Sequence, residues 1–157
     1  MLLVGCCNPR GERSSYNGLW YTQDELASMV SAGRITGIPV KIEHTGSNVG
    51  TVISSYLDRD GALQCIMDID EKASVEAALT AGFVRDGIAA DLSLGYTVDV
   101  LHSDNRLKAG EKRLLEISVV RRGAREGCHI QAYQDTGAQM VYVSQPPAAD
   151  TWAAFDL

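Results

Sequence analysis

Three polar residues stand in segments that are otherwise apolar, and their types are those that serine-based nucleophilic catalysis needs. Such catalysis uses a hydroxyl, a neutral imidazole that takes its proton, a group that orients the imidazole, and donors that stabilise an oxyanion. His44, Ser93 and Glu116 are candidates for the first three roles, and the pair Arg121-Arg122 for the last. Each of these residues also has an ordinary structural explanation.

His44 follows a segment in which Ile38, Val40 and Ile42 alternate with other residues, as in a half-buried strand. His44 ends this strand in phase, so we expect its ring to point toward the interior. A turn is predicted directly after it, at Thr45-Gly46-Ser47-Asn48. The alternative is a hydrogen-bonded core histidine without a chemical role.

Ser93 lies in a predicted strand whose apolar side chains occupy the even positions. Ser93 therefore projects from the opposite face, together with Gly95 and Thr97. A face of small residues around a serine suits a substrate that approaches closely. Because serines on polar strand faces are common, an ordinary surface serine is the alternative.

Glu116 interrupts a segment, 114–120, that is apolar on both faces, as in a central strand. A carboxylate there is costly unless it is paired or hydrogen-bonded, so we expect a cationic or donor partner. Arg121-Arg122-Gly123 follows at once, and two cations beside a flexible glycine suit the stabilisation of an anion. The alternatives are an exposed or salt-bridged Glu116 and a solvated arginine pair.

The remaining histidines and the cysteines are weaker candidates for a catalytic or metal site. His102 stands in a predicted polar loop, and His129 follows Cys128 at the start of a late strand. A cysteine enzyme built on Cys128-His129 is geometrically poor because neighbours in a strand point to opposite faces. A zinc site using the same pair is a further alternative, but buried free thiols are the simpler explanation of the four cysteines.

The elements that must position these residues are short. Thr22-Gln23-Asp24-Glu25 is a capping box that starts a helix ending at Gly33, and a second helix is predicted over 73–81 with its end at Gly82. The predicted strands cover 2–7, 38–44, 49–57, 63–69, 92–100, 114–120, 130–133 and 139–143, with a hairpin turn at 58–61. This pattern predicts a mainly β fold: a closed, largely antiparallel β-barrel with helices on its outside.

Composition limits the function classes. At 157 residues the chain has the size of one domain, for which we expect a body over 1–143 and a tail over 144–157. The net charge of -6 argues against a nucleic-acid partner, and no apolar run approaches the roughly 18 residues of a membrane span. We expect a soluble, intracellular protein without metal or cofactor.

Several segments together resemble a known family. They resemble the capsid maturation proteases of herpesviruses (assemblins) and the related prohead proteases of tailed phages. The segments are Val40-Lys41-Ile42-Glu43-His44, Val49-Gly50-Thr51-Val52, Ser93-Leu94-Gly95-Tyr96, Leu114-Leu115-Glu116-Ile117-Ser118-Val119 and Val120-Arg121-Arg122-Gly123.

The resemblance implies roles for the site residues. His44 matches the general base, Ser93 the nucleophile, and Arg121 and Arg122 the oxyanion loop. Glu116 falls where herpesvirus enzymes have a second histidine and where phage enzymes look acidic. The implied triad is Ser93-His44-Glu116, on a barrel of the assemblin type.

The resemblance also implies a function. It implies a serine endopeptidase that cleaves scaffold protein, with capsid protein as an additional candidate substrate, during procapsid maturation. It further implies an active homodimer, a preference for a small residue such as Ala before the scissile bond, and a location inside the assembling procapsid in the nucleus or bacterial cytoplasm of the infected cell. The tail could adjoin a release site. The alternative function is an inactive barrel that binds scaffold or capsid protein.

Overall fold

The protein folds into a β-barrel with two helices. The computed structural model describes residues 1–10, 19–103 and 106–143, with the backbone alone at 100–103 and 106–110. The strands in these ranges are β1 (Leu2–Asn8), β2 (Pro39–Ile42), β3 (Thr45–Leu57), β4 (Leu63–Ile69), β5 (Asp91–Ser103), β6 (Arg106–Val120), β7 (His129–Gln134) and β8 (Met140–Tyr142). The helices are α1 (Gln23–Ser31) and α2 (Val75–Arg85). The predicted tail lies outside the described residues.

Seven strands close the barrel in the order β1-β4-β3-β2-β6-β5-β7, and β7 pairs with β1 to complete the circle. The strand pairs are antiparallel except β2 with β6, which is parallel. β8 adds to β7 outside this circle. The predicted closed, largely antiparallel barrel with peripheral helices is therefore confirmed, and the parallel pair makes the sheet a mixed one.

Helix α1 begins where its capping box predicts. The Thr22 hydroxyl accepts a hydrogen bond from the Glu25 amide at 3.2 Å, and the Glu25 carboxylate accepts one from the Thr22 amide at 2.7 Å. Leu26 and Met29 face the barrel and are buried. Gly33 follows the helix with a φ of 65°, the left-handed conformation that glycine adopts at low cost.

Helix α2 differs from its prediction at both ends. It begins at Val75 after the N-cap Ser74 and runs through Gly82 to Arg85. A glycine inside a helix costs roughly 0.5–1 kcal/mol, but burial of Ala81 and Val84 on either side of Gly82 offsets that cost. The left-handed glycine that follows the helix is Gly87, with a φ of 70°.

The connection between β2 and β3 is also different. The predicted turn at 45–48 is wrong, because those residues belong to β3. The chain reverses at Glu43 and His44, whose φ angles of 49° and 58° are both positive, as a two-residue type I′ hairpin turn requires. His44 therefore lies on a hairpin turn, not in strand phase, and its ring does not point into the barrel interior.

Strands β5 and β6 extend beyond their predicted ends. β5 continues to Ser103 and includes His102, which the sequence placed in a polar loop. The His102 side chain lies outside the described part of the chain. No helix in the described ranges is both long and apolar enough to cross a membrane.

Candidate active site

The candidate site lies on the outer face of three adjacent strands, β5, β6 and β2. In the β5–β6 pair, Ser93 is opposite Ser118 and Gly95 is opposite Glu116. Because residues two apart in a strand share a face, Ser93 and Glu116 are diagonal neighbours on one side of the sheet. Parallel pairing of β2 with β6 then brings the turn after Ile42 to the same place, since Ile42 pairs with Val119.

Ser93 occupies a strand position fixed by its apolar neighbours. Leu92 is fully buried and Leu94 packs against the core from the same face. Ser93 points the other way, as predicted, and is 7% exposed at the base of a cleft. Its Oγ lies 2.8 Å from Nε2 of His44.

His44 contacts the two other predicted triad members at once. Its second ring nitrogen, Nδ1, lies 2.5 Å from Oε1 of Glu116. The His44 side chain is 42% exposed, whereas that of Glu116 is 10% exposed. The structure thus brings Ser93, His44 and Glu116 into one hydrogen-bonded chain, with the imidazole in the middle.

Glu116 is buried with donors, as its position in an apolar strand required. Its second oxygen, Oε2, accepts a hydrogen bond of 2.6 Å from the Ser118 hydroxyl. The Ser118 oxygen in turn accepts from the His44 amide at 3.0 Å. Ser118 therefore holds both the carboxylate and the backbone that carries the imidazole.

This arrangement selects one form of the neutral imidazole. An ionised carboxylate only accepts hydrogen bonds, so Nδ1 carries the proton that is donated to Glu116. Nε2 is then an acceptor for the Ser93 hydroxyl proton. A hydroxyl, a base and an orienting carboxylate in this order can perform nucleophilic chemistry on an acyl group.

A glycine makes room for the carboxylate. A Cβ at residue 95 would overlap Oε1 of Glu116 and lie 2.5 Å from its carboxyl carbon. Gly95 faces Glu116 directly across the β5–β6 pair. Any side chain at position 95 would push the Glu116 carboxylate away from His44.

The turn that carries His44 is strained and anchored. Two consecutive non-glycine residues with positive φ cost of order 1–3 kcal/mol each. The Glu43 amide donates to the Val119 carbonyl at 3.0 Å, and the Glu43 carboxylate accepts from the Arg121 amide at 2.8 Å. These bonds tie the turn to β6 and to the segment after it.

The two arginines occupy different positions. Arg121 places its Nε 3.3 Å from the Glu43 carboxylate, and its side chain is 75% exposed. Arg122 instead lines a cleft of about 480 Å³ together with Ser93, His44 and Gly123. We call it the Arg122 cleft. Of the two, the structure brings Arg122 to the candidate nucleophile.

Ser93 also lines a second cleft. It has a volume of about 240 Å³, and we call it the Arg125 cleft. Ser93 and His44 line it as well, so the two clefts meet at the candidate nucleophile. The other residues that line it include Leu19, Leu94, Tyr96, Arg125 and Cys128.

The alternative based on Cys128-His129 has the wrong environment for a thiolate nucleophile. Cys128 is buried, and its thiol donates to the Cys7 carbonyl at 3.1 Å. Burial raises the pKa of Cys128 to about 11, so the thiol is protonated near neutral pH. Within the described residues, no group of three or more His, Cys, Asp or Glu side chains is placed to hold a metal ion.

Sequence reasoning did not assign roles to Ser118, Gly95, Glu43 or Arg125. A signal existed for Ser118, because a strand places residues 116 and 118 on the same face. Gly95 was noted only as a small neighbour of Ser93, and its contact depends on the β5–β6 register. The positions of Glu43 and Arg125 depend on a turn and a loop that have no regular periodicity.

Gly95→Ala tests the space made for Glu116. The added methyl group displaces the end of a flexible side chain, so we expect a folded protein in which Glu116 no longer meets His44. Labelling of Ser93 by a serine-directed phosphonate should slow by about tenfold or more, since the orienting carboxylate is worth up to about 10⁴ in a related arrangement. Labelling followed by mass spectrometry measures this.

Gly82→Ala is the matched control. Nothing lies within 4 Å of a Cβ at position 82, so this change should stabilise α2 by about 0.5–1 kcal/mol and leave labelling unchanged. Wild-type labelling of a folded Gly95→Ala protein would contradict the contact between Gly95 and Glu116.

Comparison with known proteins supports the fold. No family model and no curated protein matches the chain. Among solved structures, KSHV protease in complex with a hexapeptide phosphonate inhibitor matches with a TM-score of 0.56 at 14% sequence identity. The match covers 85% of this chain but only 65% of that protease chain. At this identity the likeness concerns the fold alone, and the chain has a remote assemblin-like, protease-like fold.

Proposed function

We propose that this protein is a serine endopeptidase that cleaves scaffold protein, with capsid protein as an additional candidate substrate, during the maturation of a viral procapsid. One observation carries the enzymatic part: Ser93 Oγ, both ring nitrogens of His44 and the Glu116 carboxylate form one hydrogen-bonded chain. The assemblin-like fold supports the choice of a peptide bond as the target.

The reaction follows from the chain of hydrogen bonds. Ser93 Oγ attacks the carbonyl carbon of the scissile peptide while its proton passes to Nε2 of His44. Glu116 stabilises the imidazolium that forms, and Nε2 then gives the proton to the leaving amine. A water molecule repeats the attack on the acyl group, with His44 again as base, and releases Ser93.

Arg122 is the better candidate for stabilising the oxyanion. The Arg121 amide donates to Glu43 and the Gly123 amide donates to Asp91 at 2.8 Å. The Arg122 amide has no such acceptor among the described residues, and Arg122 lines the same cleft as Ser93. Its amide and its guanidinium are therefore both available to a developing negative charge.

The substrate and setting rest on the family resemblance. Two clefts that meet at Ser93 suit a polypeptide lying on both sides of the scissile bond. We expect a small residue such as Ala before that bond, a homodimeric enzyme, and action inside the assembling procapsid.

Ser93→Ala tests the nucleophile. The variant should fold normally, because the hydroxyl's only described partner is the half-exposed imidazole of His44. Cleavage of purified scaffold protein, mapped by mass spectrometry, should fall to background. Normal cleavage by this variant would disprove the serine mechanism. If the wild-type protein binds scaffold without cleaving it, and Ser93 does not react with a phosphonate, the alternative of an inactive barrel that binds scaffold is favoured instead.

Glu116→Gln tests the orienting carboxylate. Glutamine keeps the volume but can present an N–H to Nδ1, which favours the wrong imidazole tautomer. We expect kcat to fall by up to about 10⁴, with partial recovery in Glu116→His. Glu111→Gln, at an exposed position on β6, is the control and should behave as wild type. A folded Glu116→Gln enzyme with kcat within about tenfold of wild type, or about 1.4 kcal/mol of barrier, would remove Glu116 from the triad.

The proposed homodimer predicts that specific activity depends on protein concentration. If dimer packing orders the Arg121-Arg122 segment, a monomer lacks its oxyanion donor, and one such donor is worth roughly 10²–10³ in kcat. Specific activity should therefore rise with protein concentration across the monomer–dimer transition, followed by light scattering on the same samples. Constant specific activity across that transition would contradict this coupling.

A further inference from the structure

Arg125 is a buried cation whose charge has no anionic partner in the described part of the chain. It lies in the loop between β6 and β7 and is 7% exposed. One terminal nitrogen donates to the Asn8 side-chain oxygen, and the other donates to the Leu19 carbonyl at 3.3 Å. Both acceptors are neutral, so neither balances the charge.

This arrangement is unusual for a purely structural arginine. An arginine side chain stays ionised in proteins, and burial of a charge is costly unless an opposite charge compensates for it. The neighbouring acid Asp91 accepts from the Gly123 amide and forms no ion pair with Arg125. Each terminal nitrogen of Arg125 keeps a second N–H, and its Nε has no acceptor among the residues that the structure describes.

The unbalanced charge borders the candidate active site. Arg125 lines the same cleft as Ser93 and His44. Tyr96 lines this cleft too, and its buried hydroxyl has no hydrogen-bond partner in residues 1–10, 19–103 and 106–143. The ring of Tyr21 packs behind that of Tyr96, with 5.0 Å between the centroids, and the buried Tyr21 hydroxyl has no partner in the same described ranges. Among the described residues, Arg125 and Tyr96 therefore both bring unsatisfied buried polar atoms to this cleft.

We infer that Arg125 determines specificity by binding an acidic side chain, Asp or Glu, of the polypeptide substrate in the Arg125 cleft. The inference rests on the proposed function, because it assumes that a polypeptide lies across Ser93. A carboxylate supplies acceptors for the free N–H groups of Arg125 and a negative charge that the described residues do not place beside it. A neutral amide of the same shape supplies one acceptor and no charge, and so binds less well.

The first test uses the unaltered protein. The substrates are short peptides with Ala-Ala at the centre and one Glu at a flanking position. The set covers every flanking position, and each Glu peptide is paired with a peptide that has Gln at the same position. At one position kcat/KM should favour Glu over Gln by about ten- to a hundredfold, the range expected for one charge-assisted hydrogen bond. If the peptides are cleaved but the Glu and Gln members of every pair react at equal rates, the inference is overturned and the proposed function stands.

The second test changes the arginine. Arg125→Gln should abolish the preference for Glu, mainly through KM, while cleavage of the Gln peptide stays within a few-fold of wild type. Arg34→Gln, which removes an exposed arginine elsewhere, should keep the preference intact. Thermal unfolding of both variants shows whether they fold. If the Arg125→Gln protein is unfolded, the comparison of Glu and Gln peptides with the unaltered protein still tests the inference.

Binding measurements distinguish the inferred role of Arg125 from the proposed endopeptidase function. Calorimetry with the Ser93→Ala protein compares the same Glu and Gln peptides without any hydrolysis. Preferred binding of the Glu peptide supports the role of Arg125 even if the wild-type protein cleaves nothing, in which case the proposed function alone fails. Equal binding of both peptides, or no binding of either, overturns the inference.

Discussion

The buried carboxylate of Glu116 sets the requirements that the rest of the site meets. It sits in the central strand β6 with its side chain 10% exposed, so both of its oxygens need donors. One donor comes from β6 itself, the Ser118 hydroxyl, and the other comes from the ring of His44 on the β2–β3 turn. Loss of either donor would leave a buried carboxylate oxygen without a hydrogen bond. The stability of strands β5 and β6 is therefore linked to the arrangement of Ser93, His44 and Glu116.

Strand register is what allows those requirements to be met. Gly95 must lie opposite Glu116 because any larger residue would occupy the space of the carboxylate. A shift of one residue between β5 and β6 would turn Ser93 into the core and leave Glu116 without its space. The parallel β2–β6 pairing completes the placement, since a hairpin turn just past Ile42 then stands over Ser118.

Local signals predicted the elements that depend on local chemistry. The capping box at Thr22 and the alternation in β4 led to correct boundaries, and the residue types at 44, 93 and 116 identified side chains that do meet. The reversal at Glu43-His44 was missed because neither residue is a usual type I′ turn residue. What stabilises that turn is Val119, Ser118 and Arg121, which are remote in sequence.

The residues proposed for catalysis and those proposed for substrate binding stand on different kinds of structure. Ser93 and Glu116 stand on paired strands and are held by the barrel, whereas Arg122 and Arg125 stand on the loop that joins β6 to β7. Asp91 at the start of β5 accepts from the Gly123 amide, so the loop is attached two residues from the nucleophile. A substitution of Arg122 or Arg125 can therefore alter the clefts that Ser93 lines without changing the Ser93-His44-Glu116 contacts. Under the proposed function, such a barrel keeps one reaction while its loop adapts to different polypeptides.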